Sequence, residues 1–175
     1  IIGVQLWSMF KRILQPPRHS FFLFGPRGTG KTTFLNGFFA GETPLWIDLL
    51  DTRVEDRYAR TPQALIEEVE GWKGKLDWVV IDEVQKLPRL LDVAHLLIEK
   101  KRVKFALTGS SARKLKRGAA NLLAGRAFVH HLFPLTSLEW GGTFDLLAAL
   151  RWGALPGVAQ LPAEAEKREF LRAYA

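Results

Sequence analysis

The sequence contains no cysteine among its 175 residues. This absence excludes disulfide bonds, Cys-ligated zinc and thiol catalysis, and because it fits a reducing compartment, we expect a cytoplasmic protein. No stretch approaches the roughly 18 continuous apolar residues that a membrane span requires, so no membrane partner is expected. The chain also lacks internal repeats and low-complexity linkers, and its length suits one domain, or one domain with part of a second.

Acidic residues are outnumbered, with 18 Asp and Glu against 25 Lys and Arg, which gives a formal net charge of +7. The excess is concentrated between residues 100 and 117, where no acidic residue occurs. Two interpretations stay open, attraction to DNA and a merely solvated basic surface. The basic residues of this segment are Lys100, Lys101, Arg102, Lys104, Arg113, Lys114, Lys116 and Arg117.

Strand and helix signals alternate along the middle of the chain. Short apolar runs predict strands at residues 20–24, 44–49, 77–82, 103–108 and 127–132. Helices are predicted at residues 31–40, 62–71 and 90–100. Because the strands are apolar on both faces and are separated by helices, we expect an α/β fold with a parallel sheet covered on both sides. Residues 1–14 have an amphipathic helical pattern, and we expect them to pack on this core.

A glycine-rich turn lies between the first predicted strand and the first predicted helix. Its residues are Gly25, Pro26, Arg27, Gly28, Thr29, Gly30, Lys31 and Thr32, followed by Thr33, and they match the pattern G-x-x-x-x-G-K-[ST] in full. In this pattern the glycines let successive N–H groups point at phosphates, the lysine contacts the β and γ phosphates, and the hydroxyl ligates Mg²⁺. The motif therefore predicts ATP binding with Mg²⁺ in a P-loop NTPase three-layer sandwich. The alternative is a glycine turn without a ligand.

A second acidic site follows the third predicted strand. Asp82 ends an apolar run, and Glu83 comes next. At the carboxyl end of a parallel strand, where ligands of open sheets bind, we expect Asp82 to hold Mg²⁺ directly or through water. Glu83 would orient and polarise the attacking water, which favours hydrolysis over transfer to a small acceptor. The alternative for Glu83 is a surface cap of the next turn.

The fourth predicted strand runs into a polar stretch, and Ser110 is our first choice for a contact with the γ-phosphate or the water, with Thr108 second. A helix N-cap is a compatible alternative. Transition-state charge on the γ-phosphate is often met by an arginine, in cis or from a neighbouring subunit. The candidates are Arg126 and Arg113, and Arg126 is the preferred catalytic or interface residue. Arg27 is expected to face solvent or the adenine.

Several segments together resemble one family. They are GPRGTGKTT, VVIDEVQKLP, FALTGSSARKL, LLAGRAFVHHLFPLTSLE and GALPGV. The chain resembles the prokaryotic AAA+-like ATPases, related to archaeal ATPases and signal-transduction NTPases, in which a P-loop module precedes an uncharacterised, often nuclease-like C-terminal domain. The resemblance implies ATP binding, slow hydrolysis and a helical lid or winged-helix segment after the core. It places Lys31, Asp82, Glu83, Ser110 and Arg126 at functional positions.

The domain organisation expected from these patterns has two parts. Residues 1–135 form the P-loop ATPase core with its N-terminal amphipathic helix. Residues 136–175 form the start of a helical lid, or a linker to a further C-terminal domain. The leading function is an ATPase that acts as switch or motor for an attached effector, with ATP and ADP as ligands and a homo-oligomer formed through Arg126. The alternatives are an ATP-binding conformational switch without significant turnover and a small-molecule phosphotransferase.

Overall fold

The computed structural model describes residues 10–15, 17–101, 103–110 and 123–174. Its core is a five-stranded sheet with the strand order β2-β3-β4-β1-β5, and every recorded strand pair is parallel. The strands are β1 (Phe21–Phe24), β2 (Leu45–Asp48), β3 (Trp78–Asp82), β4 (Lys104–Gly109) and β5 (Phe128–His131). The predicted parallel α/β fold is confirmed, and β4 lies between the strand that precedes the P-loop and the strand that ends in Asp82.

Helices connect the strands and continue beyond them. Within the described residues we number them α1 (Lys31–Phe38), α2 (Thr52–Arg60), α3 (Ala64–Gly71), α4 (Leu90–Lys101), α5 (Ser137–Trp140), α6 (Leu146–Trp152), α7 (Pro156–Ala159) and α8 (Glu164–Tyr174). Short 3₁₀ turns lie at Val84–Lys86 and Gly141–Thr143. No helix among these is long and apolar enough to cross a membrane.

The sheet is covered by helices on both faces because successive strand residues point to opposite sides. On one face Phe21 and Leu23 pack with Leu35 of α1. On the other, Phe22 and Phe24 belong to a larger cluster with residues from α2, α3 and α4. Burial of apolar side chains on both sides explains why β1 and β3 are apolar without alternation, as is typical of parallel sheets.

The edge strand β5 differs from the central strands in exposure. Phe128 is 59% exposed and Val129 is 56% exposed, so an apolar sequence is not matched by burial there. The parallel pairing of β5 with β1 brings Phe128 beside Phe21 and His131 beside Phe24. All five strands therefore end at the edge where the glycine-rich turn begins.

Two predictions for helical segments need correction. Residues 10–14 were expected in an amphipathic helix but are not helical, because the backbone N–H of Ile13 and the side chain of Arg12 both bind Glu139, near the far end of the chain. Residues 1–9 lie outside the described part. The sequence analysis also missed α2, whose nine residues include a single buried one, Tyr58.

Candidate active site

The glycine-rich turn joins β1 to α1 and needs glycine at three of its positions. Gly28 and Gly30 have φ angles of 77° and 85°, in the left-handed region that favours glycine. A Cβ atom at Gly25 would lie 2.1 Å from the carbonyl oxygen of Leu132. A side chain cannot fit there, so the turn follows the backbone after β5 at a distance that only glycine permits.

Lys31 is the first residue of α1 and is buried, with 7% of its surface exposed. Its Nζ donates hydrogen bonds to the carbonyl oxygens of Gly25, at 2.8 Å, and Pro26, at 3.1 Å. Burial lowers the pKa of Lys31, and the negative charges of Glu83 and Asp82 offset part of that shift. The ammonium group therefore sits inside the turn, satisfied by weak neutral acceptors that an anion would outcompete.

Asp82, at the end of β3, connects the start of α1 to the neighbouring strand β4. The hydroxyl of Thr32 donates to Oδ2 of Asp82 at 2.8 Å. The hydroxyl of Thr108, in β4, donates to Oδ1 of the same carboxylate. Asp82 is 4% exposed and Thr108 is fully buried, and a buried carboxylate requires such donors. Oxygen atoms of Asp82 in β3 and Thr32 in α1 thus lie within hydrogen-bond distance of each other, and their role as metal ligands stays a prediction.

Glu83 has a left-handed backbone, with φ of 60°, and is the one non-glycine residue with positive φ in the described residues. Its N–H donates to the hydroxyl of Thr108 at 3.0 Å, which holds the strained turn. Its carboxylate accepts a hydrogen bond from Nε2 of Gln85. It precedes the 3₁₀ turn but makes no side-chain cap, so the geometry does not favour the alternative of a surface cap.

Ser110 follows β4 and faces the same group of side chains. The Nε2 atom of Gln85 donates to its hydroxyl at 3.3 Å, so Ser110 and Glu83 are linked through one amide. Thr108 instead is buried, and its hydroxyl forms hydrogen bonds with the Asp82 carboxylate and the Glu83 N–H. The helix that Ser110 was alternatively expected to cap lies at residues outside the described part.

A cleft of about 1230 Å³ opens beside the turn. Glu83, Gln85, Ser110 and Pro156 form part of its wall, together with residues of the turn and of α1. Its apolar lining comes from Phe10, Leu14, Phe34, Phe38 and Leu50. A cleft with polar groups at one end and apolar walls elsewhere is typical of a small-molecule site.

Arg12 was not identified from the sequence, yet it joins three parts of the site. Its guanidinium donates to the carbonyl oxygens of Thr29, at 2.9 Å, and Phe133, at 2.5 Å, and to Oε1 of Glu139, at 2.9 Å. Glu139 forms a capping box with Thr136 at the start of α5. That box is readable as the pattern T-x-x-E, but its contact with Arg12 spans 127 positions and has no local signal.

The three predicted arginines differ in their positions relative to the cleft. Arg126 precedes β5, at the opposite edge of the sheet from the glycine-rich turn, and its Nε donates to Glu99 at 2.8 Å. Arg126 does not line the cleft, and a role toward a neighbouring subunit stays a prediction. Arg113 lies outside the described residues. Arg27 is exposed and lines the cleft.

Two members of the basic segment can be described in full, Lys100 and Lys104. Lys100 is exposed at the end of α4, and the ammonium of Lys104 lies 4.6 Å from the ring centre of Trp78. Both lie at the edge of the sheet where the strands begin, away from the cleft. The group after residue 110 falls in the undescribed segment.

Residues 17–140 match the sequence model of a family described as AAA domain. Among similar solved structures, a Walker-type ATPase of Pyrococcus abyssi has 18% identity and a TM-score of 0.55, with 87% of this chain and 62% of that chain covered. The ORC1 protein of Aeropyrum pernix, solved in complex with DNA, has 16% identity and a TM-score of 0.52, with 82% and 50% covered. Domain III of the replication initiation protein DnaA of Thermotoga maritima has 18% identity and a TM-score of 0.52, with 90% and 76% covered.

These structural similarities establish a shared P-loop NTPase fold. The chain spans half the length of the ORC1 chain and 62% of the Pyrococcus ATPase chain. No curated protein sequence matches it.

Proposed function

This chain belongs to the AAA domain family, and we propose that it binds ATP with Mg²⁺ and hydrolyses ATP as an AAA+-type switch or motor for an attached effector domain. One observation carries the proposal. Lys31 and Thr32 come from one segment, Asp82 and Glu83 from another about 50 positions later, and the two pairs meet at one edge of the sheet. Each has the chemistry that one part of the reaction needs.

Triphosphate binding is assigned to the glycine-rich turn and to the start of α1. The first N–H groups of α1 have no partners within the helix, and its N-terminal end carries partial positive charge. Lys31 would leave the carbonyls of Gly25 and Pro26 for the β and γ phosphates, because a phosphate anion adds a Coulomb attraction to the ammonium that a neutral carbonyl oxygen lacks.

Magnesium is assigned to Thr32 and Asp82. Mg²⁺ prefers oxygen ligands and is usually held by one or two carboxylates with phosphates and waters. The hydroxyl and carboxylate oxygens, 2.8 Å apart, supply such a donor set, and with a cation bound the hydroxyl would keep its proton and direct it away from the carboxylate. The ion would neutralise charge on the phosphates.

Glu83 is assigned the role of orienting and polarising the attacking water, with Ser110 as a second polar contact near the γ-phosphate. The water oxygen would bond to the γ phosphorus as the bond to the β–γ bridging oxygen breaks, and ADP would leave with that electron pair. The carboxylate beside Asp82 argues against the phosphotransferase alternative, because a base poised for water would waste ATP.

The apolar walls of the cleft suit the nucleobase. Phe10 and Leu14 approach from the segment before β1, and Pro156 from α7. We propose that residues 136–174 act as a lid over the bound nucleotide, since Tyr174 and Pro156 of this segment reach the turn or the cleft.

The second candidate function is a switch that binds ATP without significant turnover. It is favoured by the position of Arg126, which pairs with Glu99 and does not line the cleft of its own chain. A homo-oligomer that brings Arg126 to a neighbouring nucleotide would convert such a switch into an ATPase. DNA remains a candidate partner on the strength of the net charge of +7, testable by salt-dependent binding of duplex DNA.

Steady-state phosphate release from ATP with Mg²⁺ tests the proposal, with wild type, Glu83→Gln and Lys31→Ala compared and nucleotide affinity measured for each. We expect turnover in wild type, binding without turnover in Glu83→Gln, and loss of binding in Lys31→Ala. Tight binding without phosphate release at any protein concentration would select the non-hydrolysing switch. Absence of binding would reject the site itself.

A further inference from the structure

Gln85 lines the cleft and has no part in the hydrolysis proposed above. It lies in the 3₁₀ turn Val84–Lys86, two positions after Glu83. Its Nε2 donates to Oε2 of Glu83 and, at 3.3 Å, to the hydroxyl of Ser110. One amide group therefore bridges the ends of β3 and β4, on the side of the sheet that faces the cleft.

The orientation of this amide is fixed by chemistry. A carboxylate accepts hydrogen bonds only, so the amide nitrogen must face Glu83. The amide oxygen of Gln85 is buried and has no hydrogen-bond partner among the described residues. A Cβ atom at Gly109 would lie 2.6 Å from that oxygen, so the absence of a side chain at position 109 leaves the space that the amide occupies.

The backbone and the side chain of Glu83 are held by different groups. Its N–H is held by Thr108, which also holds Asp82. Among the described residues, Gln85 is the only hydrogen-bond donor to its carboxylate. The amide contacts Oε2, which leaves Oε1 as the oxygen available to a water molecule.

We propose that Gln85 is a positioning residue that fixes the carboxylate of Glu83 beside Ser110. The expected effect on kcat rests on the proposed hydrolysis, whereas the contact between Gln85 and Glu83 does not depend on it. By limiting the rotamers of a side chain on a strained turn, Gln85 raises the fraction of molecules in which the carboxylate is correctly placed, a contribution to kcat and not to ATP affinity.

A double-mutant cycle tests the consequence. Gln85→Met removes the amide with little change in length, and we expect it to lower kcat about 10-fold to 100-fold with the Kd of ATP changed by less than about 3-fold. In a Glu83→Gln background the same substitution should have little further effect, because its partner has already lost its function. An equal fall in both backgrounds, or an unchanged kcat in the single variant, would overturn the proposal.

Two further variants serve as a control and as a second test of the same contact. Gln63→Met is a matched control, because Gln63 is exposed, precedes α3 and does not line the cleft, and its kcat should equal that of wild type. Gly109→Ala leaves both Gln85 and Glu83 in place but crowds the amide oxygen, so it should reproduce the loss of kcat in Gln85→Met.

A measurement without turnover separates this inference from the proposed function. In ¹⁵N-labelled protein, the side-chain amide protons of Gln85 should exchange slowly with solvent, and Glu83→Ala should shift their signals and speed their exchange. Unchanged Gln85 signals in Glu83→Ala would overturn the proposed contact even if ATP is hydrolysed. If the signals respond but wild type releases no phosphate, the contact stands and the hydrolysis proposal is the one that fails.

Discussion

The phenol of Tyr174 donates a 2.8 Å hydrogen bond to the backbone carbonyl of Arg27, so the last described helix rests on the glycine-rich turn. The same ring lies against Gly28, where an added Cβ atom would be 3.6 Å from it. Tyr174 and Arg27 are 147 positions apart in the sequence. If the turn moves when a phosphate binds, this contact would therefore transmit the displacement directly to α8.

Tyr174→Phe is expected to remove this hydrogen bond while keeping the ring contact. Since one neutral hydrogen bond contributes about 0.5–1.5 kcal/mol, the free energy of unfolding should fall by at most that amount. The larger effect should be local, with faster hydrogen exchange of the backbone amides of residues 27–30. Tyr174→Ala, which also loses the ring, should speed exchange further, and equal exchange in all three proteins would contradict the contact.

Arg12 and Glu139 form a pair in which both side chains are largely buried, with exposures of 11% and 5%. Arg12→Met should lower the free energy of unfolding by about 3–5 kcal/mol, because it leaves a buried carboxylate without its charged partner. Urea denaturation of Arg12→Met, Glu139→Gln and the double variant measures the coupling. The double variant should be more stable than Arg12→Met alone, and strictly additive effects would show that the two groups do not interact.

Acid stability should report on Glu139. Burial alone would raise the pKa of this carboxyl, but hydrogen bonds from the N–H groups of Thr136 and Ile13, together with the Arg12 charge, outweigh it and lower the pKa below its ordinary value of 4.5. A lowered pKa in the folded state stabilises the protein above about pH 4.5, and this contribution is lost as the pH falls through the folded value. The stability difference between wild type and Glu139→Gln, measured in urea from pH 7 to pH 3, should therefore shrink in acid. A pH-independent difference would contradict this.

Thr108 is expected to be essential for the local structure of the site. Thr108→Val keeps the shape but leaves Oδ1 of Asp82 and the N–H of Glu83 without their partner. Each unsatisfied buried group costs about 1–3 kcal/mol, and urea denaturation should show a loss in this range or above it. Thr108→Ser keeps the hydroxyl and serves as the control, with a loss of less than about 1.5 kcal/mol expected. Equal stability of the two variants would mean that the hydroxyl is not the important group.

Arg126 can be tested by mixing two inactive proteins. If it acts on the nucleotide of a neighbouring subunit, Arg126→Ala should lower phosphate release by a factor on the order of 10³. Lys31→Ala subunits should restore part of that activity when added, because they supply an intact Arg126 beside a nucleotide bound by the other protein. Glu99→Ala removes the ionic partner of Arg126 and should not abolish release. A mixture as inactive as its components would reject the role in trans.

The sequence predicted the sheet well because parallel strands buried on both faces have continuous apolar runs, as at residues 78–82. The glycine-rich turn could also be predicted from the sequence, because its glycines are required by the backbone angles and by the close approach of Leu132. Helix α2 was missed because only two of its side chains, Val54 and Tyr58, pack against the apolar core. Its polar signals were nevertheless present, with Asp51 as N-cap and Arg57 and Arg60 in the last turn.

The roles of Arg12, Gln85 and Tyr174 could not be predicted locally. Arg12 and Tyr174 act through partners more than 120 positions away, and a single sequence carries no signal for such pairs. Gln85 is adjacent to the acidic motif, but its contact depends on the left-handed backbone of Glu83. Arg126 directly precedes β5 and pairs with Glu99, and its role toward a neighbouring subunit stays a prediction.

At position 83, thermal stability and ATP turnover favour different residues. The left-handed backbone favours glycine, whereas the proposed hydrolysis requires the carboxylate of Glu83. A non-glycine residue in this conformation costs about 1 kcal/mol that glycine would not incur. A library of random variants screened for survival at high temperature would therefore enrich Glu83→Gly proteins, which have relaxed the turn and discarded the carboxylate. Screening the same library for phosphate release would instead recover glutamate at this position. Comparing the two screens would therefore show how much thermal stability the protein gives up at position 83 in order to hydrolyse ATP.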